Sequence, residues 1–180
     1  MNLASKTDLE LVALAISGDE QAPFSQLVVR YQSMIRQFLR RLTAGDQAQA
    51  DDLAQETFLM AYQKLHTFKA TGSFKSWLHT IAYRLFLRHI QKHPLLQLDE
   101  NQAILVNNPQ SEIEADLLAE KLMQVLSADE RVVMTLFMSA AMSHSEIVAV
   151  TQIPLGTVKS HIQRAKVKLH KLLDRSQLVA

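Results

Sequence analysis

The stretch from Ser143 to Leu173 constrains the fold more than any other, because it combines a short capped helix, a tight turn and a longer basic helix. Ser143 followed by Glu146 is a capping box, in which each side chain satisfies the other residue's free backbone N–H and starts the first helix of the pair. Pro154 suits the first turn of the second helix, where its missing N–H costs little. Leu155, Val158, Ile162, Ala165, Leu169 and Leu172 then recur at spacings of three and four, one apolar stripe that must be buried. The arrangement is that of a helix-turn-helix.

At 3.6 residues per turn, Ser160, Gln163, Arg164 and Lys171 fall opposite that stripe, with Lys159 and Lys166 on one flank and His161 and Lys168 on the other. Hydroxyl, amide and guanidinium groups are what base edges and phosphates accept. From Lys159 onward six Lys or Arg residues stand against one acid, Asp174, a local positive field that the net charge of +1 conceals. A solvated basic face is the ordinary reading of such a helix, but the preceding turn favours duplex DNA.

The same capping box occurs at Ser127 with Glu130 and at Ser111 with Glu114, which predicts a compact three- or four-helix domain over about residues 111–175. Four glycines and four prolines in 180 residues, with sustained helical periodicity and no convincing alternating strand, indicate an all-α protein. The apolar content of 48% is ample for packed cores. Zero cysteines exclude disulfides, thiolate metal sites and a redox thiol in this chain. No charged-then-apolar leader opens it, and the longest apolar run, around Val132 to Met142, is too short to span a bilayer. A soluble cytoplasmic protein without direct membrane insertion is expected.

Between Ile90 and Ser111 the periodicity lapses and Pro94 and Pro109 bracket the segment, which reads as a linker. Its Leu95, Leu96, Leu98, Ile104, Leu105 and Val106 are awkward in water, so it should lie against its own domains or a partner. Expected boundaries are an N-terminal domain over 1–92, the linker over 93–110 and the helix-turn-helix domain over 111–180.

The N-terminal domain opens with Thr7 and Glu10 as another capping box and continues into a long helix whose buried stripe is Phe24, Leu27, Val28, Tyr31, Ile35, Phe38 and Leu42. Gly45 stops it. The next helix begins near Asp46 and turns Ala50, Leu53, Ala54, Thr57, Phe58, Ala61 and Leu65 inward. Asp52, Gln55, Glu56, Leu59 and Gln63 stand opposite. A solvated acidic face would be the ordinary reading, yet Leu59 would be an exposed apolar residue ringed by polar ones, which suits a protein docking surface.

After the small basic loop Phe68 to Ser73 comes a fourth helix with Phe74, Trp77, Leu78, Ile81, Ala82 and Leu85 facing inward and Thr80, Tyr83, Arg84, Leu87 and Gln91 outward. An aromatic beside a guanidinium next to a basic loop can stack unpaired bases and hold phosphates. Trp77 reads as core, and Tyr83 as the better stacking candidate. No catalytic constellation is visible. His89 and His93 are four apart, but no carboxylate or thiol at useful spacing accompanies them, so no metal site and no cofactor are expected.

Asp51 to Tyr62, Phe74 to Ala82, and Pro154 to Ser160 with Arg164 and Ala165 together resemble the extracytoplasmic-function (ECF) group of bacterial sigma factors, over nearly the whole chain and in the family's order and spacing. The resemblance implies a non-enzymatic transcription initiation factor of two helical domains, whose partners are core RNA polymerase and promoter DNA, both duplex and melted single strand. By the same likeness Asp52, Gln55, Glu56 and Phe58 match the motif that docks on the clamp helices of the polymerase's largest subunit, on the face that carries Leu59. The loop from Lys69 through Thr71 to Ser73, and the helix bearing Thr80, Tyr83 and Arg84, match the part that melts and reads the minus-ten element. Lys159, Ser160, His161, Gln163, Arg164 and Lys168 match the recognition helix for the minus-thirty-five element. The linker would thread toward the RNA exit path, and an anti-sigma protein would cover the docking surfaces.

The chain departs from the family's pattern at Arg84 and Arg88, where many relatives have Asn and Asp. It departs again at His161, where Arg is common, and at Ala141 or Met142, one of which replaces the usual Gly before the capping Ser. A response-regulator type helix-turn-helix protein, binding DNA without polymerase docking, is the alternative, although the N-terminal half lacks strand-helix alternation and a phosphoacceptor aspartate. A helical adaptor would leave the basic helix without a purpose.

Overall fold

The computed structural model describes residues 2–18, 21–70, 72–92, 118–119 and 122–177, and the first helix begins where the capping box places it. The Thr7 hydroxyl accepts from Glu10 N and the Glu10 carboxylate from Thr7 N, which starts α1 (Asp8–Ser17). α2 (Ala22–Leu42) buries Phe24, Leu27, Tyr31, Ile35, Phe38 and Leu42, with Leu39 added to the expected stripe and Val28 only partly buried at its edge. It ends because Ala44 and Gly45 both turn to positive φ, +53° and +92°. Asp46 then caps α3 (Gln47–Lys64), its carboxylate accepting from Gln49 N. A single 3-10 turn (Leu65–Thr67) leads through the loop to α4 (Phe74–Lys92). These four helices pack on each other, α2 touching the other three.

In the C-terminal half, capping boxes at Ser127 and Ser143 start α5 (Ala128–Met138) and α6 (His144–Thr151), as the spacing predicts. Gln152 ends α6 in the left-handed conformation (φ +63°), and α7 (Leu155–Gln177) follows, its first backbone bond running from Val158 N to Pro154 O (2.9 Å). Pro154 therefore sits just ahead of the helix rather than inside its first turn. The Arg131 guanidinium is buried in the bend before α5, donating to Met123 O and Leu126 O (3.0 and 3.1 Å). Ala141, between α5 and α6, adopts φ +54°, which identifies it as the position where a Gly is usual. The capping box at Ser111 with Glu114, the linker, Thr71 and His93 lie outside the described residues.

No strand occurs among the described residues, and the protein is all-α. The two halves touch. Arg41 at the end of α2 donates to the Ser139 hydroxyl (2.5 Å), Gln124 donates to Ala44 O (3.0 Å), and one apolar cluster runs from the N-terminal bundle through Leu136, Met142, Ile147 and Val158.

Candidate polymerase and promoter surfaces

Three surfaces collect the residues singled out by the sequence. On α3, Ala50, Leu53, Ala54, Thr57 and Ala61 are buried, which turns Asp52, Gln55 and Glu56 to solvent and leaves Leu59 60% exposed. Phe58 is half-buried against the core at the edge of this face. Asp51 is paired with Arg36 (3.5 Å), whereas no ion pair involves Asp52 or Glu56 among the described residues. Tyr62, overlooked in the sequence, extends the apolar part of the face: it is 45% exposed and leans edge-on against Phe24. Its spacing of three from Leu59 was the available signal.

The second surface is a cavity of about 330 Å³ beside the start of α4. Lys69, Ser73 and Thr80 line it, together with Phe68, Gly72 and Trp77. Phe68, Phe74 and Trp77 form a mutually tilted aromatic cluster with centroids 5.5–5.7 Å apart, Phe74 deepest. Ser73 caps the first turn, its hydroxyl accepting from Ser76 N, and the Thr80 hydroxyl donates to Ser76 O. Trp77 is only half-buried and faces this cavity, so it combines the packing role expected of it with an accessible ring edge. The opposite wall is Met142, Glu146, Ala149 and Val150, contributed by α6 and the bend before it.

Tyr83 departs from its expected outward position. It is buried, and burial, with the Asp129 carboxylate of α5 adding to it, pushes its phenol up to about 12. Helical periodicity assumes that one side of α4 is covered, but Ile81, Ala82, Tyr83, Leu85 and Phe86 are all buried and only Arg84 in that run is exposed. A stretch apolar nearly all round is covered on more than one side. His79, also overlooked, is fully buried edge-on against Phe38 (4.7 Å). Burial lowers its pKa to about 4, its Nδ1 pairs with Lys75 O (2.8 Å), and its Nε2 has no hydrogen-bond partner among the described residues.

The third surface is α7. Val158, Ile162 and Ala165 are buried, and Lys159, Ser160, Gln163 and Arg164 are exposed, as expected. Leu155, the first residue of α7, is not part of the buried stripe and is 44% exposed. His161 is also displaced from expectation, being buried with its Nδ1 accepting from Arg164 (3.1 Å), because it lies one turn from Val158 and from Ala165 and the covered arc is wide enough to take it in. Lys168 reaches back to α5 and donates to Glu130 (2.7 Å). His89 bonds to Gln49 across α3 and α4 (2.5 Å), and no group of three metal-ligating side chains exists among the described residues.

A helical bundle with an exposed acidic and apolar face, joined to a helix-turn-helix, is the layout of a factor that couples one protein partner to DNA. Residues 27–94 match Sigma-70 region 2 and residues 116–169 match Sigma-70 region 4. The chain is 30% identical to the RNA polymerase sigma-H factor of Pseudomonas aeruginosa, covering 96% of each, and 32% identical to the ECF RNA polymerase sigma-E factor of Escherichia coli K12, covering 89% of this chain and 91% of that one. It resembles the solved structures of CnrH in complex with the cytosolic domain of CnrY (28% identity, TM-score 0.65, 93% and 97% coverage) and of the sigma factor RpoE in complex with the anti-sigma factor NepR from Bartonella quintana (25%, 0.63, 84% and 96%). The chain belongs to the ECF sigma factors of bacterial RNA polymerase. It is an alternative sigma factor that directs transcription initiation, and the reading as a DNA-binding regulator without polymerase docking is not favoured. Sigma factors are not enzymes. No described helix is long and apolar enough to cross a membrane.

Proposed function

We propose that the three surfaces divide the work of initiation. Asp52, Gln55, Glu56, Phe58 and Leu59, with Tyr62, dock on core polymerase. Lys69, Ser73 and Thr80, which line the Trp77 cavity, act with Thr71 and Arg84 to capture the minus-ten strand. Lys159, Ser160, Gln163 and Arg164 read the minus-thirty-five duplex. Region 2 spans 1–92, the linker 93–110 and region 4 111–180. The chain has no catalytic activity of its own and works in the cytoplasm, where polymerase and promoters are, under an anti-sigma protein that competes for the α3 face.

The observation that carries this reading is Leu59, 60% exposed on a face of acids with no ion pairs among the described residues. Water tolerates such an apolar residue, but a partner groove rewards it. Duplex recognition by α7 supplies position, and capture of unstacked bases on aromatic edges offsets the few kilocalories needed to open each step. The test is transcription by purified core polymerase on a library of randomised promoters with and without this protein. New start sites sharing two spaced elements support the reading, whereas duplex binding with no polymerase association refutes it.

A further inference from the structure

Glu130 occupies an unusual position for a capping-box residue. Such a glutamate ordinarily stands at the surface with one oxygen on the N-cap N–H and the rest in water. Here it is 4% exposed and its carboxylate meets the recognition helix. Oε2 accepts from Ser127 N (3.1 Å) and from Lys168 Nζ (2.7 Å), and Oε1 lies 3.7 Å from Arg164 Nε. Burial raises its pKa, but the Lys168 and Ser127 bonds outweigh that and hold the carboxyl below its ordinary value, so it is an anion at neutral pH.

One buried anion thus serves two cations of the helix that faces DNA, with different results. Arg164 donates one hydrogen bond from Nη2 to the His161 ring (3.1 Å) and has its Nε drawn toward Glu130 by charge across 3.7 Å, while its side chain remains 56% exposed. The two contacts bias the guanidinium plane before any base arrives, and planar, two-pronged pairing with guanine depends on that plane. Lys168, one turn further on, is drawn down onto α5. A lysine free at that position would touch phosphate, which strengthens binding to every sequence alike.

We propose that Glu130 is a positioning and specificity-determining residue for promoter recognition, aiming Arg164 at the base edges and withholding Lys168 from the DNA backbone. This rests on the reading of α7 as the minus-thirty-five helix. His161 shares the task from the other side of the guanidinium, so its substitution for the family's usual Arg replaces a second cation with a clamp for the first.

The test uses holoenzyme reconstituted with core polymerase and duplex promoters carrying the selected or a scrambled upstream element, from 50 to 200 mM salt (about the range over which phosphate contacts are read). Glu130→Gln keeps the capping box, which accepts either residue, and removes the charge. The expected result is tighter binding to the scrambled duplex, a salt slope steeper by about 0.9 from one added phosphate contact, and a preference for the selected element reduced roughly three- to tenfold. Lys168→Gln should leave the slope unchanged, because that lysine is not on the DNA. A folded Glu130→Gln with wild-type slope and preference overturns the proposal. So does a Lys168→Gln whose slope flattens by about 0.9, a result that stands even if Glu130→Gln fails to fold. Wild-type holoenzyme indifferent to the upstream element would instead overturn the reading of α7 itself.

Discussion

Replacing Leu59 with Ala tests the polymerase-docking face with little risk to the fold. The side chain is already 60% exposed, so the bundle loses almost nothing, and surface substitutions of this kind stay within about 0.5 kcal/mol. Full burial of a leucine is worth about 1.5–3 kcal/mol, and the 60% still in water leaves about 1–2 kcal/mol for a partner to collect. Affinity for core polymerase should therefore fall about 5- to 30-fold. Leu53, one helical face away and 3% exposed, supplies the contrast: its replacement by Ala should cost the fold about 2–5 kcal/mol. The assay is competition between each variant and labelled wild-type chain for core enzyme, with thermal melts alongside. A Leu59→Ala chain that melts normally and binds core within about twofold of wild type refutes the assignment of this face.

Other perturbations separate the remaining contributions. His79, with a folded pKa of about 4 against an ordinary 6.5, resists protonation while the unfolded chain accepts it, so its contribution is whole above about pH 6.5 and lost as pH falls toward 4. Denaturant unfolding should show about 2 kcal/mol lost between pH 7.5 and 5, a loss that His79→Leu abolishes. Ala141→Gly relieves the residue at φ +54° and should raise stability by about 1 kcal/mol, read as a melting temperature higher by about 2–4 °C. Arg164→Ala should cost about 1–3 kcal/mol at the upstream element and relax its sequence preference while leaving core binding intact, measured by footprinting and core titration.

The local devices of this chain were legible because each depends on neighbours in sequence. Thr7 with Glu10, Ser127 with Glu130, Ser143 with Glu146, and Asp46 as a cap all act within one helical turn, and all start helices where expected. The exposed Leu59 was legible for the same reason, as an apolar residue out of phase with its own helix. What failed is what a second neighbour decides. Tyr83 and His161 have the phase of exposed or flanking positions and are buried because their helices are covered over a wider arc than one stripe implies. Leu155 has the phase of the core and is exposed at the very start of its helix, where periodicity alone does not say what covers it. Glu130 was read correctly as a cap, but its partners Lys168 and Arg164 lie more than thirty residues away and no local pattern announces them.

The contact between the two halves has a consequence for how the proposed surfaces can work together. Met142, Glu146, Ala149 and Val150 wall the same cavity as Lys69, Trp77 and Thr80, so α6 stands where the captured strand would lie. The two promoter elements are, by their names, about 25 base pairs apart, roughly 85 Å at 3.4 Å per step. A compact unit the size of the C-terminal half has a radius of gyration of only about 10 Å. With α6 seated on the cavity the recognition helix cannot reach the upstream element while the minus-ten strand is held. The halves must part, breaking Arg41 to Ser139 and Gln124 to Ala44, each worth about 0.5–1.5 kcal/mol net, and uncovering part of the shared apolar cluster. Residues 93–117 span enough chain, at about 3.3–3.6 Å per residue, to allow that separation. Polymerase docking at the proposed α3 face can bias this equilibrium only if it favours the parted arrangement. Fluorophores at the exposed Ser33 and Ser145 should therefore move apart by tens of ångströms when core polymerase binds. An unchanged transfer efficiency in an active holoenzyme would show that the cavity beside Trp77 is not where the strand is held.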